Sequence, residues 1–352
     1  MTTRDIYEAI EFLRSEGEPV LRRFARSNRG VSYAELRFEV VSHRSAAATN
    51  GAPRDSTESE NAAFGVAVQV SAATGCIGDG QAGAEVGALA RRPTKLAAVV
   101  RAALHSAYDR ARVSAREKSV LIKSLGAAAR SLEAVPIPEP PVIRDEVEAV
   151  FRSDPRTTPI DSLKRLSLDA SRAVSGLGPG IAFNVAAAMT EFRRELFVNT
   201  SGSVIVQSFA FSQGDCYVVA QDGEGHQESY DTIGQQRGLE CLEEGWRGEL
   251  MPNPNLCEFS IALAKEAQQL AAAPVLRPPD GEVVVVTDPH FNALIAHEIV
   301  GHPSEADRAL KMEAAYAGRS WFLRSLADNE LFGYQVHAID QRRHDRDVSN
   351  GV

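Results

Sequence analysis

Two histidines five residues apart, with a glutamate directly after the first, form the group in this sequence best suited to chemistry. They lie in Leu294-Ile-Ala-His297-Glu298-Ile-Val-Gly301-His302-Pro303-Ser-Glu305-Ala-Asp307. Neutral imidazoles are ligands for Zn²⁺, and a carboxylate beside the open coordination position can take a proton from water. Zinc proteases commonly space the histidines as HExxH, which puts both on one face of a helix. Here the spacing is HExxxH, and five residues on a regular α-helix give an offset of roughly 140°. Both imidazoles can meet one metal only if the helix ends or bulges between them. Gly301 accepts left-handed backbone angles, and Pro303 disfavours helical geometry at His302, so the chain is expected to swing His302 off the helix end. A π-bulge would act in the same way. His297 and His302 are therefore the candidate metal ligands and Glu298 the candidate general base. Glu305 and Asp307 are candidates for orienting the imidazoles or for a third ligand, and His290 for lining the cleft.

The elements around this segment must hold it. Glu282–Thr287 (EVVVVT), with its β-branched run, predicts a buried strand leading through Asp288-Pro289 into the helix. Upstream, residues 5–27 predict one or two helices interrupted near Gly17–Pro19. Tyr33–Val41 and Ala63–Ser71 alternate as strands, with the Asn50-Gly51 turn signal between them. Cys76–Ala82 predicts a glycine-rich turn into an edge, and Thr94–Ala115 an amphipathic helix. Four prolines in Val135–Val142 mark a linker. After a helix at about 161–174, Phe183–Met189, Arg193–Val198, Val204–Phe211 and Asp215–Ala220 predict four antiparallel strands, followed by a helix at Leu256–Ala272. The GxGxG at Gly176–Gly180 follows a helix and contains proline, which makes it a loop and not a nucleotide cradle. No sequence repeat is evident.

These elements predict an α+β fold: an N-terminal helix-and-antiparallel-sheet domain (1–134), a Pro-rich linker (135–160), a central region ending in the strand–HExxxH helix unit (161–331) and a polar tail (332–352). The chain has 352 residues, 44% of them hydrophobic and 24% charged, which excludes wholesale disorder. Its net charge of −9 excludes the basic footprint needed to grip nucleic acid. No signal-peptide core and no apolar run of the roughly 20 residues needed to cross a bilayer is present, so a cytoplasmic protein without membrane contact is expected. Cys76, Cys216, Cys241 and Cys257 form no CxxC pair and read as small buried hydrophobes, with Cys257 the one considered as a ligand. His337 and His344 in the tail are considered as substitute ligands but read as exposed side chains.

The segment resembles the TldD/PmbA family, metalloproteases also described as modulators of DNA gyrase. The resemblance lies in Asp288-Pro289, in HExxxH with Gly301 before the second histidine, in Glu305 and Asp307, and in Glu313-Ala-Ala-Tyr-Ala-Gly-Arg-Ser320. A more diffuse likeness covers Tyr33–Glu39, Asn50-Gly51, Ala63–Val70 and Phe197–Gly202. Within that family the TldD-type subunit carries the motif and the PmbA-type (TldE) partner lacks it. The resemblance therefore implies a TldD-type subunit: a zinc-dependent peptidase for unfolded peptides, paired with a PmbA/TldE-like subunit or self-associated. Family roles include maturing peptide antibiotics and degrading antitoxins. Family members continue into a C-terminal domain that supplies a cysteine as third zinc ligand, and the tail after Gly333 does not match that continuation. The alternative is a shortened, inactive relative that acts as a binding or assembly subunit.

Overall fold

The computed structural model describes residues 6–126, 141–247, 252–277, 280–305, 323–324 and 331–332. Contacts divide the chain into two units, Met1–Val275 and Leu276–Val352.

The first unit is a sheet with helices on one face. In chain order it contains α1 (Glu8–Ser27), β1 (Val31–Thr49), β2 (Ala52–Ser71), β3 (Ile77–Glu85), α2 (Pro93–Leu125), β4 (Arg144–Val147), α3 (Ile160–Ser175), β5 (Ile181–Asn199), β6 (Val204–Asp222), β7 (Gly225–Gln235) and α4 (Leu256–Ala272). The strands run β3-β2-β1-β5-β6, with β7 antiparallel and the short β4 parallel along the outer edge of β6. Even-numbered residues of β1, such as Leu36, Phe38 and Val40, are buried under α1 and α2 with Leu96, Val100 and Leu104. Farther along the same strands, Ala46, Ala186 and Ala188 pack with Leu163 of α3 and Leu256 of α4. Odd-numbered residues of β1 face the other side, away from these helices, as the two-residue period of a strand dictates. The fold is thus mixed α+β.

The strands are longer than their hydrophobic runs suggest. The expected pairs 183–189/193–198 and 204–211/215–220 are two strands of 19 residues each. The polar residues between them are used inside the sheet. Thr190 and Ser212 hydrogen-bond each other at 2.9 Å across β5 and β6, and a Cβ on Gly214 would come within 2.6 Å of Leu256. Asn50 (φ 50°) and Gly51 (φ 74°) form the expected hairpin turn, with the left-handed angles such a turn demands. The helix predicted to break near Gly17–Pro19 runs through both. Pro19 lies on the exposed face, where water can take the carbonyl that its missing N–H leaves over. Of the Pro-rich linker, residues 135–140 lie outside the described residues.

The first unit contains an internal structural repeat that the sequence does not show. Helix, long strand, long strand and short strand recur in the same order, and the sheet reads alike from either end. Superposing Val31 on Ile181 makes the buried positions of β1 coincide with those of β5: Ala34 with Asn184, Val40 with Thr190, Ala46 with Leu196. β1 and β5 pair antiparallel, Ser42 opposite Phe192, so a pseudo-twofold axis passes between those two residues. The two turns obey it as well. Asn50 Oδ1 accepts from the Asn184 N–H at 2.8 Å, and Thr200 Oγ1 accepts from the Ala34 N–H at 3.0 Å. Each half clasps the first strand of the other with its own hairpin turn.

In the second unit, Pro289–Ala296 forms α5, followed by a π-helical turn at His297–Gly301 and a short helical end at His302–Ser304. The predicted strand Glu282–Thr287 is irregular, with Val284 94% and Val286 92% exposed. A β-branched run becomes a strand only against a partner, and none pairs with it among the described residues. No helix among the described residues is long and apolar enough to cross a membrane.

Candidate metal centre

The start of α5 is fixed by its own sequence. Asp288 takes the N-cap position, its Oδ1 accepting from the Phe291 N–H at 2.7 Å, and Pro289 occupies the first helical position, where no N–H is needed. Thr287 Oγ1 donates to Asn292 Oδ1 at 2.8 Å across the same junction. Asp288→Ala should loosen this turn by about 1 kcal/mol and speed exchange of the Phe291 amide about fivefold, readable by hydrogen exchange.

The histidines come together through the π turn. The His302 N–H bonds to the His297 carbonyl, a step of five residues in place of four, so the HExxxH spacing spans one full turn. The imidazole centroids are 4.2 Å apart with planes at 75°. His297, Glu298 and His302 each offer one ligand atom, and these atoms all lie within 4.8 Å of one another. The helix does not swing away at its glycine. Gly301 has φ −59° and His302 φ −60°, both right-handed, which corrects the expectation of a left-handed break. The physical reason lies with Pro303, whose ring would crowd the carbonyl four residues back in an α-helix; widening the turn moves that carbonyl.

Glu305 lies where it can orient a ligand. Its Oε1 is 2.9 Å from His302 Nδ1, and an Nδ1–H donated to that carboxylate leaves the Nε2 lone pair for a metal. Asp307, His337 and His344 lie outside the described residues, as does the side chain of His290. The described group therefore brings two imidazoles and a carboxylate to one side of a helix, with a second carboxylate behind. That donor set fits a divalent cation such as Zn²⁺.

The cysteines belong to the first unit and are all free. Burial pushes the Cys216 and Cys241 thiols up to about 11, and Cys257 also upward, so none of the three is a ready thiolate. Cys257 packs beside the cluster of Leu163, Leu242 and Leu256. Hydrogen bonds from Ser119 and Thr74 lower Cys76 instead.

Comparison with known proteins gives the site a context. No family model matches the chain. It is 28% identical over 165 residues to a protein of Methanothermobacter thermautotrophicus named a metalloprotease, covering 47% of this chain and 34% of that one. Among solved structures it is similar to a protein of Thermotoga maritima described as a modulator of a DNA gyrase (TM-score 0.48, 12% identity, 75% of this chain and 50% of the other). It is similar also to TldE of Thermococcus kodakarensis (TM-score 0.46, 13% identity, 74% and 47%). A further likeness is to a modulator of DNA gyrase from Bacteroides thetaiotaomicron (TM-score 0.49, 10% identity, 84% and 58%). The chain spans about a third of the metalloprotease it matches and about half of these solved structures.

Proposed function

We propose that this chain is a zinc-dependent metallopeptidase of the TldD type, acting in the cytoplasm on unfolded peptides together with a PmbA/TldE-like subunit. The observation that carries the reading is the π turn, which sets His297 and His302 one turn apart with Glu298 beside them. The metalloprotease-named relative supports it. Bound between the two imidazoles, zinc would polarise a peptide carbonyl and acidify water to a pKa of about 7. His297 and His302 would hold the ion, and Glu305, accepting from His302 Nδ1, would favour the tautomer that ligates through Nε2. Glu298 receives the proton of the attacking water and passes it to the leaving amine, the ordinary work of a general base then acid. The backbone of Glu282–Val286, which pairs with no strand among the described residues, suits an extended peptide, which binds by main-chain hydrogen bonds and needs no particular sequence.

The donor set also bears on affinity. Catalytic zinc sites ordinarily have three protein ligands, and the described residues offer two imidazoles backed only by carboxylates. The chain by itself is expected to bind zinc weakly and to lose it on dialysis against a mild chelator. One tightly held zinc per chain after such dialysis would show a further ligand. The function is tested by assaying cleavage of an unfolded peptide by the zinc-loaded chain together with a PmbA/TldE-like subunit. Stoichiometric metal with no cleavage in that assembly would favour the alternative of an inactive assembly subunit.

A further inference from the structure

The outer edge of β2 is bare over the half nearest its hairpin turn. β3 pairs with β2 from Ala63 to Ser71, whereas Ala52–Asn61 pair only with β1. Every residue from 52 to 61 is exposed, so neither a helix nor a loop covers the stretch. The Ala62 carbonyl accepts from the Val86 N–H, which marks the even-numbered residues as those whose backbone groups point outward. The outward N–H and C=O groups of Ser56, Glu58 and Glu60 have no partner among the described residues.

The internal repeat shows what such an edge accepts. The superposition that sets Val31 on Ile181 also sets Arg54–Thr57 on Val204–Gln207, because Ala62 pairs with Val40 as Ser212 pairs with Thr190. On that second edge a strand is seated. β4 runs parallel to β6, with Arg144 beside Val204 and Val147 beside Gln207. The sheet therefore carries two equivalent strand seats, and the chain fills one of them itself.

The seats differ in their side chains. Beside β4, Arg194 Nη1 donates to Glu148 Oε1 at 2.9 Å and Ser208 Oγ to Glu148 Oε2 at 3.2 Å. The positions equivalent to Arg194 and Ser208 are Arg44 and Glu58, and these bond each other at 2.9 Å. Glu60 is paired with Arg91 in the same way. The charges along the bare edge are thus matched within the chain. A glutamate standing where Glu148 stands would find its arginine taken and a carboxylate in front of it. Pro53 lies at the turn end, so the ladder donors from Arg54 to Glu60 are intact.

We infer that the outer edge of β2 at Arg54–Glu60 is a docking site for an extended segment of another polypeptide, added parallel to β2 as β4 is to β6 and without acidic side chains on the helix side. Main-chain hydrogen bonds supply the attraction, as in other cases where a peptide extends a sheet, and the Arg44–Glu58 pair supplies the selectivity. The inference is independent of the metal centre and is tested on the metal-free full chain.

The test uses two acetylated, amidated hexapeptides built on Ile143–Glu148, one unchanged and one with asparagine and glutamine replacing Asp145, Glu146 and Glu148. In calorimetric titration the neutral peptide should bind, and the acidic one about fivefold more weakly. Hydrogen exchange should slow at residues 54–60 and stay unchanged at 204–207. The neutral peptide with alternate backbone nitrogens methylated should not bind, because it cannot form the ladder. Ser56→Pro, which removes one outward N–H from an edge, should abolish binding with the circular dichroism unchanged. Glu58→Gln, which frees Arg44, should make the acidic peptide bind at least as tightly as the neutral one. No binding of the neutral peptide at millimolar concentration, equal binding of its methylated form, or protection at 204–207 in place of 54–60 would each overturn the inference.

Discussion

Replacing Glu298 by glutamine is expected to lower peptide hydrolysis by ~10²–10⁴-fold while leaving zinc content unchanged. The amide keeps the size and hydrogen-bonding reach of the side chain but cannot accept the water proton. The imidazoles of His297 and His302 are untouched. His297→Ala should instead lose the metal and activity together. The discriminating measurement is metal content by atomic absorption beside turnover on the same zinc-loaded preparation. If Glu298→Gln depleted zinc as severely as His297→Ala, Glu298 would be a ligand and not a base, since its carboxylate sits within the same 4.8 Å group.

Gly80→Val is expected to destabilise the first unit by ~4 kcal/mol or more, enough to unfold a protein of ordinary stability. Gly78 and Gly80 are the buried positions of β3, and α2 lies directly on them. A Cβ on Gly80 would overlap the Ala107 carbonyl and approach the Ala111 nitrogen to 2.6 Å, and these are backbone atoms of a long helix that cannot rotate away. Nothing short of lifting α2 would relieve the overlap, which would uncover Leu104 and its neighbours. Gly65→Val is the control, because a Cβ there meets nothing within 4 Å and the site should tolerate the side chain within about 1 kcal/mol. Urea denaturation of both variants decides the point. A Gly80→Val protein as stable as the control would mean that α2 does not bear on β3 in solution.

The parts of this structure legible in the sequence are those whose signal is local. Asn50-Gly51 specifies its turn by backbone sterics alone, and α4 begins and ends at Leu256–Ala272 as the hydrophobic period requires, with Asn255 as its cap. The break expected between Phe211 and Asp215 misled for an equally physical reason, Ser212 and Gly214 being the residues concerned. A hydroxyl and a missing side chain look like a turn in one strand, but in the sheet they are partners of Thr190 and Leu256. The repeat was illegible because it is kept by burial pattern and pairing while side chains differ, as Phe38 does from Ala188. At the metal centre the HExxxH spacing announced the need for a break in the helix, but not its kind. Choosing between a left-handed glycine and a π turn depends on how Pro303 and the preceding carbonyl share space, which no residue count reveals.

The pseudo-twofold frame also sets an order of assembly. Apart from the short parallel pairing of β4 with β6, the strands within each half pair consecutively, β1 to β2 to β3 and β5 to β6 to β7, so both meanders can zip by closing short loops. The ladder between β1 and β5 is different, since it joins residues as far apart as Glu35 and Asn199. Closing that long loop is slow, and little is gained until both meanders exist. The two halves should therefore behave as separate cooperative folding units, with docking of β1 on β5 as the last and slowest event. Until that docking two long bare strand edges stand open, so the interval before the halves meet is when the chain is most exposed to pairing with a second copy of itself.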